Sequence, residues 1–383
     1  MTVTTARGFS AAGVAAGIKT SGDLDLALVV NHGPSYAAAG VFTSNRVQAA
    51  PVQWSRQVLR DGRLRAVVLN SGGANACTGP EGDVDTRLTA ERAAAAVGAD
   101  ALDVAVCSTG LIGVRLPLDA LLPGVDEAAR QLSADGGERA ADAILTTDTV
   151  HKTAVAEGPG WCVGGMAKGA GMLAPGLATM LVVLTTDADV PGAALDRALR
   201  DAVRTTFDRV DSDGCMSTND TVLLLASGAS GVTPDPDALA DAVRAVCADL
   251  AMQLVRDAEG ASKDIEIEVV GAASERDAVV VGRTVARSSL LKCALHGEDP
   301  NWGRVLSAVG TTDARFDPDR LDVAVNGVWV CRDGAPGEPR EKADLTGRRV
   351  TLTVDLRSGE ESAVIWTNDL TAAYVHENSA YSS

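Results

Sequence analysis

The sequence is poor in the features that mark nucleic-acid-binding and membrane proteins. Its 34 lysine and arginine residues are outnumbered by 51 aspartate and glutamate residues, which gives a formal net charge of −17 at pH 7. Such a charge opposes binding to a phosphate backbone or to an anionic membrane surface. The N-terminus shows no apolar signal-type segment, and no later apolar run is long enough to span a bilayer. We therefore expect a soluble cytoplasmic protein with no nucleic-acid or membrane partner.

Paired cysteines are also lacking, because no CxxC spacing occurs. The odd number of cysteines fits neither a disulfide framework nor a zinc ribbon. We expect these thiols to be reduced and mostly buried. The seven cysteines are Cys77, Cys107, Cys162, Cys215, Cys247, Cys293 and Cys331.

Aromatic residues make up only 3% of the chain, whereas glycine is abundant, with 39 residues. A chain so rich in small residues can pack its layers closely and turn often. Its length of 383 residues suffices for one large or two intermediate domains with a sizeable core. The sequence shows no internal repeat, so we do not expect a repeat architecture.

The apolar periodicity predicts a mixture of strands and helices, which indicates an α/β fold of stacked layers. Pro191 and Pro236 lie near two helix starts, where proline is tolerated. The expected strands cover residues 24–30, 64–69, 103–107, 179–185, 221–226, 264–270, 321–325 and 350–354, and the last three alternate as half-buried strands do. The expected helices cover residues 118–132, 195–203, 239–254 and 281–295.

The most unusual stretch is GGMAKGAGMLAPGLATMLVVL, residues 164–184. Its first half combines several glycines with Pro175, so the backbone there can adopt bent or left-handed conformations. Its second half predicts a strand that begins at Thr179. A hydroxyl residue at a strand start, directly after a strained loop, is well placed to attack the preceding carbonyl group.

Other interpretations of this stretch remain. Gly169, Gly171 and Ala174 satisfy a loose GxGxxA dinucleotide pattern, but Pro175 and Gly176 oppose the helix that this fingerprint requires. Lys168 precedes its glycine, so the segment is not a phosphate-binding P-loop. A plain structural turn that leads into a core strand stays open as an alternative.

A threonine nucleophile needs a base for its hydroxyl group. Cleavage of the Ala178–Thr179 bond would supply that base, because the freed α-amine of Thr179 has an ordinary pKa of about 8 and lies beside the hydroxyl. One bond scission would therefore create both members of the catalytic pair.

These residues resemble the bifunctional ornithine acetyltransferase and N-acetylglutamate synthase family of arginine biosynthesis, whose members are N-terminal nucleophile proteins. KGAGMLAPGLATML, residues 168–181, is similar to the self-processing segment of that family. The resemblance extends over nearly the whole chain and in the same order. Its other motifs are NSGGANACTG (70–79), CSTGLIG (107–113), TTDT (146–149), FDRVDSDGCMSTND (207–220), DAEGASK (257–263), KCALHGEDPNWGR (292–304) and NDLTAAYVHENSAYSS (368–383).

The resemblance implies an αββα layered sandwich of the ornithine acetyltransferase and aminopeptidase type. It implies a precursor cut into an α chain, residues 1–178, and a β chain, residues 179–383, which assemble as a heterotetramer of two α and two β chains. Thr179 would take the acetyl group from N-acetylornithine, release ornithine and pass the acetyl group to glutamate. No bound cofactor is implied, although acetyl-CoA is a possible second acetyl donor.

The resemblance also carries roles onto single residues. Thr109 and Gly110 match the oxyanion-hole positions, and a small hydroxyl group and an unobstructed amide suit that task. A strand-end turn is the plain structural alternative for these two residues. Because one loop is shorter than in the family, Thr147 is a second candidate for the position given to Thr146. The implied substrate contacts, besides Thr179, are Thr146, Lys168, Glu259, Asn378 and Ser383.

Metal and thiol chemistry find little support in the spacing. The sequence DSDG, residues 211–214, lacks the further ligands of a calcium loop, so we interpret it as a turn that shapes the pocket or caps a helix and expect no metal. The histidines are far apart and show no ligand spacing. Two other functions stay open: an N-terminal nucleophile hydrolase such as an aminopeptidase, in which water takes the acyl group, and a non-catalytic amino-acid-binding protein.

Overall fold

The computed structural model describes residues 2–172 and 180–380, which form two compact units. Unit 1 contains the described residues up to 208 together with 215–257, and unit 2 contains 209–214 and the residues from 258 onward. Ala178, Thr179 and Ser383, which the sequence predicts as site residues, lie outside the described residues. The predicted division into chains 1–178 and 179–383 differs from this division into units and stays a prediction.

Unit 1 contains nine strands and six helices among its described residues. In chain order these are β1 Phe9–Val14, β2 Leu26–Asn31, β3 Ala38–Phe42, α1 Ala50–Val58, β4 Ala66–Asn70, α2 Gly79–Val97, β5 Val104–Ser108, α3 Leu118–Arg130, α4 Gly137–Ala143, β6 Lys152–Gly158, β7 Trp161–Lys168, β8 Leu181–Thr186, α5 Gly192–Thr205, β9 Thr221–Ala226 and α6 Pro236–Arg256.

Two sheets form the middle of unit 1. One has the order β1-β2-β4-β5 and the other the order β3-β9-β8-β7-β6. One apolar core includes side chains from both sheets, among them Val29, Leu69, Val183 and Leu223. Every residue of β2, β4, β5, β8 and β9 is buried, because both faces of these strands are covered, which explains their continuous apolar runs.

Helices cover the outer faces of the two sheets. Leu121 and Val125 of α3 pack with Leu28 and Val68 in the core on the outer face of the first sheet, where α2 also contributes. Helices α5 and α6 pack on the second sheet, against β3 and β9 and against β6 and β7, respectively. The order helix, sheet, sheet, helix confirms the expected αββα sandwich in unit 1.

The starts of α5 and α6 agree with the positions of their prolines. Pro191 occupies the position before α5 with an extended backbone. Pro236 is the first residue of α6, and the Asp235 side chain accepts hydrogen bonds from the amides of Asp237 and Ala238. The Asp235 cap satisfies amide groups of α6 that have no partner within the helix.

Unit 2 contains a six-stranded sheet of order β13-β12-β11-β14-β10-β15 among its described residues. Its apolar core includes Ile267, Val281, Val323 and Leu352. The elements are β10 Asp264–Ala272, α7 Glu275–Ala286, α8 Ser289–His296, α9 Trp302–Val309, β11 Asp322–Val325, β12 Val328–Arg332, β13 Ala335–Pro336, β14 Arg349–Asp355, β15 Glu361–Asn368 and α10 Ala372–Ala380.

Two expectations for unit 2 were wrong. The helix expected over 281–295 is two helices, because the Ser288 hydroxyl accepts a hydrogen bond from the Leu291 amide and starts α8. The apolar periodicity continues across this break since both helices face the same core. Strand β11 does not alternate, because its polar residue Asp322 is also buried, held by Arg332 and Arg357.

The expectation that most cysteines are buried was also wrong. Cys107, Cys247 and Cys331 are buried, whereas Cys77, Cys215 and Cys293 are exposed and Cys162 is intermediate. All seven thiols are free within the described chain. In the same residues, no helix combines the length and the apolar character needed to cross a membrane.

Candidate active site

The motif STG lies where β5 ends. A pair of buried amide side chains holds this strand end in place. Asn70 accepts a hydrogen bond from the Ser108 hydroxyl at 2.6 Å, and the Asn219 side-chain amide donates to the Ser108 carbonyl at 2.7 Å. The Thr109 amide donates to the Asn70 carbonyl at 3.0 Å, so the Thr109 backbone is fixed.

Gly110 has a backbone conformation and surroundings that only glycine tolerates. Its φ is +131°, and a Cβ atom would lie 2.5 Å from the Gly73 amide nitrogen. Within the described chain, the Gly110 amide donates no hydrogen bond. An unused amide beside a threonine hydroxyl is the arrangement that can stabilise a developing oxyanion.

Lys168 is the last residue of β7 and lies opposite Leu181, the first residue of β8. Its side chain is only 1% exposed, and its Nζ donates to the Thr109 Oγ1 at 3.1 Å. The sheet therefore places a buried cation at the end of the strand that pairs with the strand following Thr179. That cation contacts the predicted oxyanion-hole hydroxyl directly.

Asp148 connects the TTDT loop to the residue that follows Lys168. Its Oδ1 accepts hydrogen bonds from the Gly169 amide and the Lys152 ammonium group, each at 2.6 Å. Its Oδ2 accepts from the Thr146 amide at 3.1 Å. Burial raises the pKa of Asp148, but the charges of Lys168 and Lys152 and these hydrogen bonds outweigh it, so the pKa lies below its ordinary value.

Lys152 extends this network to the end of α6. Its fully buried Nζ also contacts Asp257 at 2.6 Å, and the Asp257 carboxylate accepts hydrogen bonds from the Thr149 amide and hydroxyl. A buried lysine between two carboxylates satisfies its charge without water. The loop 146–149 is thereby held by the Lys152–Asp148 ion pair and by the hydrogen bonds of Thr149 to Asp257.

The structure brings together four of the residues predicted from sequence. Thr109 contacts Lys168, and Gly110 follows Thr109 in the chain. Thr146 is connected to the same region through its hydrogen bond to Asp148. Thr147 belongs to the same loop as Thr146. In unit 2, the Asn378 side-chain amide donates to Glu259 Oε2 at 2.8 Å.

The comparisons with known proteins agree with the motifs. The ArgJ family model matches residues 10–383. Over 383 residues the chain is 72% identical to the arginine biosynthesis bifunctional protein ArgJ of Streptomyces coelicolor, with 100% of both chains covered. The chain belongs to the ArgJ family.

Other relatives extend this result. The ArgJ-family chain is 62% identical to the ArgJ protein of Thermobifida fusca over the full length of both chains. A solved relative is the ornithine acetyltransferase of Mycobacterium tuberculosis complexed with ornithine, 60% identical over 47% of this chain and 96% of that chain, with a TM-score of 0.45. The ArgJ-family chain is an acetyltransferase of arginine biosynthesis.

Glu259 also lines a pocket of about 270 Å³ within unit 2 of the ArgJ-family enzyme. Two cationic side chains, Arg287 and Lys292, share that wall. Burial lowers the pKa of Lys292 to about 8 despite the nearby carboxylates. The DSDG turn contributes to this pocket through Ser212, Asp213 and Gly214, which agrees with the expectation that it shapes a pocket.

A larger cleft of about 1190 Å³ runs along β3 in unit 1. It is lined by arginines from several segments, among them Arg56, Arg63 and Arg200, and by Asp189 and Asp196. Of the residues predicted for the site, those that the structure describes do not line this cleft. Its volume therefore gives no reason to move the candidate site away from Thr109 and Lys168.

Sequence reasoning missed the carboxylates and the lysine that support the site. Asp148 stands inside the quoted motif TTDT and Asp257 begins DAEGASK, so both could have been noted as acidic residues within motifs. Lys152 belongs to no motif, and a lysine is ordinarily interpreted as a solvated surface charge. The pairing of Lys152 with Asp257 depends on a contact between residues 105 positions apart.

Proposed function

We propose that this enzyme cuts itself between Ala178 and Thr179 and then transfers an acetyl group from N-acetylornithine to glutamate through an acetyl ester on Thr179. The observation that best supports this is the contact between Lys168 and Thr109, next to the unused Gly110 amide and at the strand end that pairs with the start of β8. The identity of 72% to the arginine biosynthesis bifunctional protein ArgJ of Streptomyces coelicolor, over the full length of both chains, supports a reaction of arginine biosynthesis.

In the proposed cleavage, the Thr179 hydroxyl oxygen bonds to the Ala178 carbonyl carbon and the bond to the Thr179 nitrogen breaks. The hydroxyl proton is transferred to that nitrogen, and water then hydrolyses the resulting ester. The products are the chains 1–178 and 179–383. The liberated α-amine of Thr179 becomes the general base for the same hydroxyl group.

In the proposed transfer, Thr179 attacks the acetyl carbonyl group of N-acetylornithine. The Gly110 amide and the Thr109 hydroxyl stabilise the oxyanion that develops, and the departing ornithine nitrogen receives the proton from the α-amine. The α-amine of glutamate then attacks the acetyl ester, the bond between the acetyl carbon and the Thr179 oxygen breaks, and that oxygen recovers a proton through the Thr179 α-amine, which gives N-acetylglutamate. Acetyl-CoA is a second acetyl donor to the same threonine. Because the acetyl group is carried by Thr179 itself, the reaction needs no bound cofactor.

We assign substrate contacts, besides Thr179, to Thr146, Lys168, Glu259, Asn378 and Ser383, on the strength of the family motifs. A cation such as Lys168 suits the α-carboxylate that ornithine and glutamate share. Glu259, as an acidic group, suits an amino group.

The same proposal includes assembly and location. After the cut, β7 belongs to the α chain, and β8 and β9 belong to the β chain. The two chains stay together because β8 is hydrogen-bonded to β7 on one side and to β9 on the other. We expect two such pairs to form the heterotetramer, which native mass spectrometry measures. The free thiols fit a reducing compartment, the cytoplasm.

The first experiment measures cleavage. Intact-mass analysis of the purified wild type should find two chains, with the second beginning TMLVV, whereas Thr179→Ala should stay whole and inactive. Thr205→Ala, which removes a threonine hydroxyl at the end of α5, serves as the matched control and should cleave normally. A mature and active wild type consisting of one uncut chain would contradict the proposal.

The second experiment separates transfer from hydrolysis. Incubation with N-acetylornithine and glutamate should give N-acetylglutamate, and label should exchange between ornithine and N-acetylornithine in the absence of glutamate. Free acetate as the main product would indicate the hydrolase alternative. Binding of ornithine without cleavage or product would indicate an amino-acid-binding protein.

A further inference from the structure

Asp220 lies beside the peptide group that follows Thr179. Strands β8 and β9 are parallel neighbours, with Leu181 opposite Thr221, so the residues that precede them also adjoin. The Asp220 Oδ1 accepts a hydrogen bond from the Met180 amide at 3.1 Å. That amide nitrogen is covalently bonded to the carbonyl carbon of Thr179.

The other carboxyl oxygen of Asp220 is buried without a partner. Asp220 is fully buried, and its Oδ2 has no hydrogen bond within residues 2–172 and 180–380. The nearby Thr43 hydroxyl has only one proton, which it donates to the Ser217 carbonyl at 2.7 Å. An ionised carboxylate with a bare oxygen is costly in such surroundings.

Burial raises the pKa of Asp220 well above its ordinary value, although the Met180 and Ser217 amides, the Lys168 charge and the Thr43 hydroxyl act in the opposite direction. Lys168 is the charged side chain that faces Asp220 within the described part of unit 1. The raised pKa favours the protonated, uncharged form of this carboxyl group.

The Lys168 charge acts on both Asp148 and Asp220, yet the pKa values of the two carboxyl groups shift in opposite directions. The pKa of Asp148 is lowered, whereas that of Asp220 is raised. Lys152 pairs with both Asp148 and Asp257, whereas no such ion pair offsets the burial of Asp220 among the described residues. Carboxyl groups whose pKa values are pushed apart in this way mark acid-base chemistry.

The charge of Asp220 matters for the proposed base. An α-amine has an ordinary pKa of about 7.7–8.0, and a carboxylate within about 4–6 Å raises the pKa of a cation by favouring the charged form. A charged Asp220 beside residue 179 would keep the amine protonated and unable to accept the hydroxyl proton. An uncharged acid exerts no such effect.

We propose that Asp220 is a positioning residue that holds the Thr179–Met180 peptide group as an uncharged carboxylic acid and so leaves the Thr179 α-amine able to act as a base. This inference rests on the proposed role of Thr179. Asparagine at position 220 reproduces the uncharged shape, with one acceptor oxygen for the Met180 amide, whereas alanine removes the contact.

The test compares three variants of the full-length protein. Asp220→Ala should slow self-cleavage and lower kcat by about 10- to 100-fold through misplacement of Thr179, and Asp220→Asn should restore both. The acid limb of the kcat/KM profile should have the same midpoint in Asp220→Asn and wild type. Asp85→Asn, which alters a buried carboxylate paired with Arg115, controls for general loss of stability and should leave that midpoint unchanged.

Two results would overturn the inference. A shift of the acid limb to lower pH in Asp220→Asn would show that a charged Asp220 had been raising the pKa of the amine. Failure of Asp220→Asn to cleave or turn over would show that the carboxyl group is needed for more than its uncharged shape. If Asp220→Ala does not fold, the comparison of Asp220→Asn with wild type still decides.

An infrared difference spectrum supplies a readout that does not depend on activity. At neutral pH, wild type minus Asp220→Asn should show the carbonyl band of a protonated carboxylic acid, and absence of that band would contradict the uncharged state. This measurement stands even if the wild type proves uncut. Failure of the proposed function and failure of this inference are therefore distinguishable.

Discussion

The Lys168 ammonium group donates a hydrogen bond to the Thr109 hydroxyl across 3.1 Å, and both side chains are almost completely buried. The donated proton leaves the hydroxyl hydrogen of Thr109 free to point at a ligand. A positive charge behind that hydroxyl makes it a better donor to a developing oxyanion. We therefore expect the two residues to act as one unit in the proposed oxyanion hole.

Removal of the Thr109 hydroxyl should lower turnover. Thr109→Val preserves the side-chain shape, and we expect kcat to fall by about 100- to 1000-fold, as for loss of one oxyanion donor. Thr109→Ser, which retains the hydroxyl, should keep most of the activity. Lys168→Met combined with Thr109→Val should lose less than the product of the single effects. Steady-state kinetics with N-acetylornithine checks this, and unchanged turnover in Thr109→Val would remove it from the oxyanion hole.

Gly110 and Gly113 allow the effect of crowding to be separated from that of backbone strain. Both have positive φ, but a Cβ at Gly113 meets nothing within 4 Å, whereas one at Gly110 lies 2.5 Å from Gly73. Gly113→Ala should cost about 1–2 kcal/mol of stability from its left-handed backbone and keep its activity. Gly110→Ala should lose activity as well. Equal kcat values in the two variants would contradict the close packing at Gly110.

Loss of the Asp148 charge should destabilise the protein. Asp148→Asn leaves Lys152 and Lys168 with less compensating charge in a buried place, and breaking such a buried pair typically costs about 3–5 kcal/mol. Glu91→Gln, which breaks the exposed pair with Arg87, should cost at most about 1 kcal/mol. Urea unfolding measures both.

The loss of stability caused by Asp148→Asn should depend on pH. Because the folded-state pKa of Asp148 lies below 3.8, its contribution to stability is present above that pH and is lost as pH falls through the folded-state pKa. The difference in unfolding free energy between wild type and Asp148→Asn should therefore shrink in acid. A difference that is constant down to the acid transition would contradict the lowered pKa.

Lys292 should make stability rise in alkaline solution. Burial lowers its pKa from 10.5 to about 8, so the unfolded chain holds a proton that the folded chain releases between these values. Stability then increases with pH across that window, by up to about 3 kcal/mol for a shift of this size. Thermal unfolding at pH 8 and pH 10 should show this rise in wild type and in Lys342→Met, an exposed control, but not in Lys292→Met.

Several elements of the fold followed from local pattern. Continuous apolar runs predicted β8 and β9, and helical spacing predicted α5 and α6, because periodicity reports which faces of an element are covered. The apolar pattern did not predict the break between α7 and α8, since both helices bury their apolar faces in one core. The pattern did not predict the burial of Asp322 in β11, because Asp322 pairs with an arginine of β12 and with another in the segment after β14.

The features of the candidate site likewise divide into those that motifs predicted and those that depend on the folded structure. The motifs identified Thr109, Gly110 and Lys168 because these residues stand in short, distinctive stretches of sequence. The ion pairs of Lys152 and the raised pKa of Asp220 could not be deduced, since they depend on which groups are buried and which charges meet after folding. Sequence by itself determined the family, a candidate reactive segment and the positions of about half of the strands, because local periodicity and motifs carry that information. Only the tertiary structure decided the pKa shifts and the pairing of the buried carboxyl groups, because desolvation and Coulomb energy act between groups far apart along the chain.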